Sequence, residues 1–365
     1  MSITQKDVAG RLGISQRAVA FALSDSLHAR KQLRAETRHR ILETAQQMGY
    51  VPHHAARRLA RTRSDRRTTS FDQIGMIYLA DSHLDLDTVC LAMMGGAEHE
   101  LSELHASLTF VRVREEPGWA KVERLTRAGG VDGWLLYGAV NDEVVNRLKP
   151  GKLPYVILGD HRCARPVHSV NVDHEAVARL AVEHLASLGH RRIGFFGGGT
   201  RHVYEEQTLA GFHAAIDEEG LDGDERLISS GSLWDRWDHQ AEFWSPANSE
   251  LVLEWLRNAG PMPTALFTPE FDWADGICRV LRQAQIEVPK QISILGYEPV
   301  SHAARTQNFT RIELPMMEVG RQGALLLHRI ASKQPMESAE LKISPSLIEG
   351  WSTCPPGGSQ SRPAN

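Results

Sequence analysis

Three residue types that can read DNA bases stand together near the N-terminus, in the segment ISQRAVAFALS. Arginine can bind the O6 and N7 atoms of guanine, glutamine can pair with adenine, and an apolar ring can pack on the methyl group of thymine. Val19 and Leu23 are four residues apart and mark one helical face, so Gln16, Arg17 and Phe21 fall on the outer side. We therefore predict a helix that enters the major groove with its N-terminal residues towards the bases. Two alternatives stay open: a phosphate contact for Arg17, and a core position for Phe21 in a slightly rotated helix.

The neighbouring residues predict the small helical unit that would hold this helix. Thr4 and Asp7 fit a capping box, Gly13 fits a helix stop, and Ser15 fits the N-cap of the next helix. A third helix is predicted over 35–48, so the segment is typical of a helix-turn-helix. The expected core of this three-helix unit consists of Val8, Leu12, Ile14, Val19, Leu23, Ile41 and Ala45.

Charge is distributed unevenly along the chain of 365 residues. Residues 1–67 carry 14 Lys and Arg against 5 Asp and Glu, which leaves 27 against 40 for the remainder. A basic head on an acidic body favours a polyanionic partner for the head alone. The alternative is a merely solvated basic tail, and the folded pattern in the head argues against it.

Apolar runs typical of strands alternate with helical patterns from residue 74 onward. The predicted strands are IGMIYLA, SLTFVRV, VDGWLLYG, YVILGD, RRIGFFGG, TALFTP and ISILGYE, and the helical run TVCLAMMGGAEHELSEL follows the first of them. This βαβ order predicts parallel sheets with helices on both faces. Ligands of such folds bind beyond the carboxyl ends of the strands.

Several classes of chemistry find no support in the sequence. The four cysteines are far apart, and the GxGxxG, Walker, GxSxG and HExxH patterns are absent, so we predict no cofactor, no metal and no enzymatic activity. The paired histidines His53 and His54 are interpreted as backbone or DNA contacts. No apolar run approaches the roughly 18 residues of a membrane span. The N-terminal MSITQKDVAG has no apolar signal core, so we expect a cytoplasmic location.

Longer segments carry a family resemblance. The runs DVAGRLGIS, ETRHRILETAQQMGYVP and HHAARRLA in the head resemble the LacI family of bacterial transcriptional regulators, as do NVDHEAVARLAVEHLASLGHRRIGFFGG, LAGFHAAIDEEGL, VPKQISILGYE and MEVGRQGALLL in the body. The resemblance covers nearly the whole chain. It implies an α/β fold in which an all-α helix-turn-helix head precedes a periplasmic-binding-protein-like body of two Rossmann-like subdomains with a cleft and three crossovers.

The resemblance also implies domain boundaries. The helix-turn-helix domain is expected at 1–51, the hinge helix and linker at 52–73, the effector-binding and dimerisation body at 74–355, and a disordered tail at 356–365. Within the body, the N-subdomain is expected at about 74–171 and 304–336, and the C-subdomain at about 172–303 and 337–355.

In the family, the hinge helix wedges a leucine into the minor groove at the centre of a palindromic operator. Leu59 matches that leucine and Ala56 the small residue beside it, and such a wedge kinks the duplex. The full set of expected DNA contacts is Thr4, Ser15, Gln16, Arg17, Ala20, Phe21, Ser24, His28, His53, Ala56, Arg57 and Leu59. The recognition helix reads Ala-Val-Ala-Phe where the family usually has Thr-Val-Ser-Arg, so we expect a different operator.

The resemblance places an effector site in the cleft. Thr208 stands where the family has an arginine, Gly350 replaces another frequent arginine, and Glu270 with Phe271 replaces an Asn-Asp pair. The expected effector contacts are Ser82, Asp160, Val172, Tyr204, Thr208, Trp234, Glu270, Phe271 and Glu298. Carboxylates beside aromatic residues favour an effector that is not a simple sugar but cationic or partly aromatic. The alternative is a site that has drifted and binds nothing.

Together these features predict a homodimeric, sequence-specific transcriptional regulator, and the resemblance implies a repressor. Closure of the cleft on an effector would change the spacing of the hinges, so effector and operator affinities would be linked reciprocally. The alternative is a metabolite-binding protein with altered or vestigial DNA binding.

Overall fold

The computed structural model describes residues 3–23, 33–48, 71–79, 88–148, 153–197, 202–229, 231–238, 241–269, 271–298, 308–332 and 339–357. The chain divides into two compact units, Met1–Thr69 and Ser70–Asn365. Most of the predicted hinge at 52–73 and of the predicted tail at 356–365 lies outside the described residues.

The first unit, which we call the head, has the predicted helices. They are α1 (Gln5–Leu12), α2 (Gln16–Ala22) and α3 (Ala35–Gln47). Thr4 and Asp7 form a complete capping box, Gly13 ends α1 with a φ of 64°, and the Ser15 hydroxyl accepts from the backbone of Ala18. The buried core consists of Val8, Ala9, Val19, Ala22, Ile41 and Ala45. The predicted Leu12, Ile14 and Leu23 pack around it in part-buried positions.

The second unit, which we call the body, contains the seven predicted strands in their predicted order, and its described residues form six further short strands. Its strands are β1 (Gln73–Leu79), β2 (Ser107–Val113), β3 (Gly133–Gly138), β4 (Val140–Asn141), β5 (Tyr155–Leu158), β6 (His161–Arg162), β7 (Ser169–Val172), β8 (Ile193–Phe195), β9 (Ala265–Thr268), β10 (Ser293–Glu298), β11 (Arg311–Glu313), β12 (Glu340–Ile343) and β13 (Ser346–Ile348). Its helices are α4 (Thr88–Glu103), α5 (Glu116–Arg127), α6 (Asp142–Leu148), α7 (His174–Ser187), α8 (Val203–Glu218), α9 (Gly231–Asp235), α10 (Pro246–Asn258), α11 (Phe271–Gln283) and α12 (Met316–Ala331).

The strands form two main sheets. The first has the order β12-β7-β5-β3-β1-β2 and is parallel throughout, and the second has the order β13-β11-β10-β9-β8 with only β13 antiparallel. A small parallel pair, β4 with β6, stands apart from both. The central strands are buried along nearly their whole length, as expected of parallel strands covered by helices.

Two strands correct the predicted subdomain boundaries. β11 pairs with β10 in the second sheet, although 304–336 was assigned to the N-subdomain, and β12 pairs with β7 in the first sheet, although 337–355 was assigned to the C-subdomain. Both strands are short, so their sequences have little pattern of their own, and backbone pairing decides which sheet they join. Within the described residues the chain crosses between the sheets after Val172, after Glu313 and after Ile343, which agrees with the three crossovers expected.

Helices α4 and α12 pack backbone to backbone on the first sheet. A Cβ atom at Gly96 would lie 1.8 Å from the carbonyl oxygen of Met317, and one at Gly320 would lie 1.9 Å from that of Met93. Only glycine allows this approach. None of the helices in the described part of the chain has the length and apolarity needed to cross a membrane.

Candidate functional sites

The outer face of α2 presents the predicted base-reading residues. Gln16 and Arg17 are exposed, whereas Val19 is fully buried. Phe21 is half-buried and is not among the described core side chains of the head, so the alternative of a rotated helix is not supported. The Arg17 guanidinium lies 5.3 Å from the centre of the Phe21 ring. This cation–π contact orients the arginine along the exposed face of the helix.

The beginnings of α1 and α2 are held by their caps. The Thr4 hydroxyl and backbone amide both donate to the Asp7 carboxylate, at 2.7 Å and 2.8 Å, and these bonds hold the pKa of Asp7 below its usual value. Thr4, Ser15 and Ala20 belong to the predicted DNA contacts, and the first two are exposed while Ala20 is half-buried. The remaining predicted contacts, Ser24, His28, His53, Ala56, Arg57 and Leu59, lie outside the described residues.

In the body, polar residues from both subdomains meet where β5 and β7 end. The Asp160 carboxylate, just after β5, accepts a hydrogen bond from the side-chain amide of Asn171. Its other oxygen lies 3.9 Å from Nε2 of His174, the first residue of α7. The Tyr204 ring is 5.8 Å from that of His174 and stacks on His202 at 5.5 Å. Thus Asp160 and Tyr204, two predicted contacts, are joined through a histidine that the sequence analysis did not select.

His174 is buried, and burial lowers the pKa of its imidazole. The nearby carboxylate of Asp160 acts in the opposite direction. Its Nδ1 atom has no hydrogen-bond partner within the described residues. The sequence analysis did not select Asn171 and His174 because it predicted no strand at β7, whose end places both residues beside Asp160.

The polar groups of two predicted effector contacts bind other groups of the protein. The Thr208 hydroxyl is buried and donates to the backbone carbonyl of Tyr204 at 2.6 Å. Glu298 is 1 % exposed, and one of its carboxylate oxygens lies 2.8 Å from Nε of Arg311. The role of Glu298 as an acid that faces the ligand stays a prediction, and a guanidinium on the adjacent strand compensates its charge in this structure. Val172, another predicted contact, is buried at the end of β7.

The loss of the second family arginine has a steric reason. A Cβ atom at Gly350 would lie 2.0 Å from the carbonyl oxygen of Asn308. The backbone amide of Gly350 also donates to the Thr310 hydroxyl at 2.9 Å. A side chain at this position would require the backbone to move, so no arginine fits here.

Six aromatic side chains form a cluster beside the end of β8, and we call this set the aromatic cluster. It consists of Phe196, Trp234, Trp237, Phe243, Trp255 and Trp273. Trp234, one of the predicted effector contacts, is 5 % exposed and packs within this cluster. Phe271 begins α11, and the predicted contacts Ser82 and Glu270 lie outside the described residues.

Comparisons with known proteins agree with this architecture. Residues 182–353 match the family of periplasmic binding protein-like domains. The chain is 27% identical over 312 residues to the HTH-type transcriptional regulator AglR of Rhizobium meliloti (strain 1021). The aligned residues cover 85% of this chain and 82% of that protein. It is 24% identical over 355 residues to catabolite control protein A of Priestia megaterium, with 96% of this chain and 98% of that protein covered.

The fold is also that of a solved structure, the lac repressor dimer bound to operator and the anti-inducer ONPF. The TM-score is 0.70 at 20% identity, over 97% of this chain and 100% of that one. A helix-turn-helix head followed by a periplasmic-binding-protein-like body is the architecture of a class of transcription regulators. This chain is similar in sequence to regulators of that class and shares their fold.

Proposed function

We propose that the protein is a homodimeric repressor that binds a palindromic operator and releases or retains it according to an effector held between the two subdomains of the body. The observation that carries this proposal is the exposed Gln16–Arg17 edge of α2 on a fully packed helix-turn-helix. We further propose that it acts in the cytoplasm, where its DNA is, and that it catalyses no reaction. Turnover of a ligand in the absence of DNA would contradict the last statement.

Selection of bound duplexes from a random pool tests the proposal directly. We expect the full chain to enrich one sequence with two inverted half-sites, because a dimer with twofold symmetry reads a palindrome. The enriched site should bind at least ~1,000-fold more tightly than random DNA at physiological salt. Binding without sequence preference would instead favour a metabolite-binding protein whose head is vestigial.

Arg17→Ala should relax specificity at one base pair of each half-site by about 1–3 kcal/mol, because the arginine is expected to read guanine with two hydrogen bonds. Operator variants that differ at single positions, compared by fluorescence anisotropy, would measure it. Arg11→Ala is the matched control, since this exposed arginine lies in the last turn of α1. A uniform loss across all variants with a shallower salt dependence would make Arg17 a phosphate contact instead.

We infer that the effector is not a plain neutral sugar. The Thr208 hydroxyl donates to a backbone carbonyl, and position 350 has no room for an arginine side chain. The two arginines that the family has at these positions are therefore missing as donors to ligand hydroxyls. The cationic part of our hypothesis is weakened, because Arg311 compensates Glu298. Calorimetry of the full chain against hexoses, nucleosides and amines tests this inference, and tight binding of an unmodified hexose would refute it.

For the dimer, we propose a contact through the outer surface of α4 and α12. Leu91 is 45% exposed and Met317 is 60% exposed, on two helices that pack closely against each other. Large exposed apolar side chains on adjacent helices favour a protein partner, and the proposed dimer supplies a second copy.

Met317→Asp should weaken self-association by about 30-fold or more, because a buried interface residue of this kind contributes 2 kcal/mol or more. Sedimentation velocity over a concentration series would measure the change. Met262→Asp is the matched control, since Met262 is 44% exposed but lies between α10 and β9 on the second subdomain. An unchanged dimer in Met317→Asp would place the interface elsewhere.

A further inference from the structure

The aromatic cluster combines buried rings with partly exposed ones. Phe196, the residue after β8, lies at the centre, with ring centroids 5.3 Å from Trp234, 5.2 Å from Trp255 and 6.3 Å from Trp273. Trp234 stacks on Trp273 at 5.0 Å with an interplanar angle of 21°. Trp273 is only half-buried, so part of its ring remains accessible.

Two buried polar atoms in this region have no hydrogen-bond partner within the described residues. They are Nε1 of Trp234 and the hydroxyl of Thr268. The two residues are 5 % and 0 % exposed, respectively. Leaving such a group unpaired costs on the order of 1–3 kcal/mol. A fold retains that cost most readily where a ligand supplies the missing partner.

Both atoms belong to the carboxyl-end side of the second sheet. Thr268 is the last residue of β9, and the backbone amide of Phe196 donates to the carbonyl of Phe267 at 2.9 Å, so the ends of β8 and β9 are side by side. Trp234 packs on Phe196 at that end. This is the side of a parallel sheet at which ligands bind.

The indole N–H can only donate a hydrogen bond, whereas a hydroxyl can donate or accept. The group that pairs with Trp234 must therefore be an acceptor oxygen or nitrogen, which an ammonium is not. The half-buried face of Trp273 suits a flat apolar ring, since aromatic rings stack in offset or edge-to-face arrangements. The two requirements together describe an aryl group linked to an ether, hydroxyl or carbonyl oxygen.

We propose that the effector carries such an oxygen-substituted aromatic ring, and that the ring packs against Trp273 while its oxygen accepts hydrogen bonds from Trp234 Nε1 and the Thr268 hydroxyl. The proposal rests on the proposed function, because it describes one subsite of the effector cleft. Of the two effector types that the sequence favoured, cationic and partly aromatic, the proposal selects the partly aromatic one.

Two matched pairs of glycosides test the subsite on the full chain without DNA. Phenyl and methyl β-D-glucopyranoside, and the corresponding galactopyranosides, differ only in the aromatic ring. We expect the phenyl member of at least one pair to bind about 10-fold or more tightly than its methyl partner, measured by calorimetry and by quenching of tryptophan fluorescence. If neither phenyl compound exceeds its methyl partner, including the case in which none binds, the proposal is overturned.

Three substitutions then identify the atoms. Trp234→Phe and Thr268→Val each remove one donor while keeping most of the side-chain volume, and each should lower the affinity for the phenyl compound about 3- to 10-fold, as expected for one neutral hydrogen bond. Trp255→Phe is the control. Its indole nitrogen is also buried without a hydrogen-bond partner in the described part of the chain, but the residue lies on α10 beside Gly194, within β8. An equal loss in Trp255→Phe, or no loss in the other two, would overturn the assignment.

These measurements separate the two levels of the argument. A failure of the proposed regulator function would appear as the lack of an enriched operator in the DNA selection. A failure of the aromatic subsite would appear in ligand binding alone, with operator selection intact.

Discussion

Arg311→Met should lower the free energy of unfolding of the body by about 3–5 kcal/mol. The substitution keeps a long apolar side chain but removes the guanidinium that lies 2.8 Å from the Glu298 carboxylate. Glu298 is 1 % exposed at the end of β10, so water cannot replace the lost partner. Removing one member of a buried ion pair is costly because the remaining charge stays in a medium of low polarity. Urea denaturation followed by circular dichroism would measure the change.

The exposed pair Arg127–Glu123 supplies the matched control. Both side chains are largely in solvent, so Arg127→Met should cost less than about 1 kcal/mol. Adding Glu298→Gln to Arg311→Met should recover part of the loss, since the unpaired charge is then gone. A loss below about 1 kcal/mol in Arg311→Met would show that the pair contributes nothing and would reopen a ligand-facing role for Glu298.

Val19→Asp should reduce operator affinity by at least ~100-fold while leaving the body folded. Val19 is fully buried in the six-residue core of the head, and burial of an unpaired carboxylate costs several kcal/mol. A unit of this size has only a few kcal/mol of stability, so the substitution should unfold it. Head and body are separate compact units, which predicts that the thermal transition of the body stays in place.

Fluorescence anisotropy with the selected operator and differential scanning calorimetry would measure the two effects separately. Gln47→Asp adds the same charge to an exposed position of α3 and should change operator affinity much less. Unchanged operator binding by Val19→Asp would mean that the head is not the DNA reader. An equal destabilisation of the body would mean that the two units do not fold independently.

Local patterns in the sequence predicted the head accurately. The capping box, the left-handed glycine after α1 and the Ser15 cap are all formed, because each depends on residues within four positions of one another. The same holds for strands such as β2, whose predicted and observed bounds coincide at 107–113. Burial of Ala22 was not predicted, since alanine carries a weak hydrophobic signal.

The candidate ligand site was predicted less completely. Asp160 and Tyr204 were selected, but the histidine that lies between them was not, and the packing of Trp234 among other rings was not predicted. The ion pair of Glu298 was not predicted because its partner, Arg311, is on a different strand of the sheet. No local rule shows which residues from distant segments will meet.

The sequence by itself determined the helix-turn-helix, the alternation of strands and helices, and the face of α2 that carries Gln16 and Arg17, because these depend on spacing along one element. Only the tertiary structure decided that β11 and β12 exchange sheets, that Arg311 compensates Glu298, and that Trp234 Nε1 and the Thr268 hydroxyl have no hydrogen-bond partner among the described residues. The physical reason is that hydrogen bonding and charge compensation are satisfied between residues far apart in the chain, and their partners exist only once the sheets have formed.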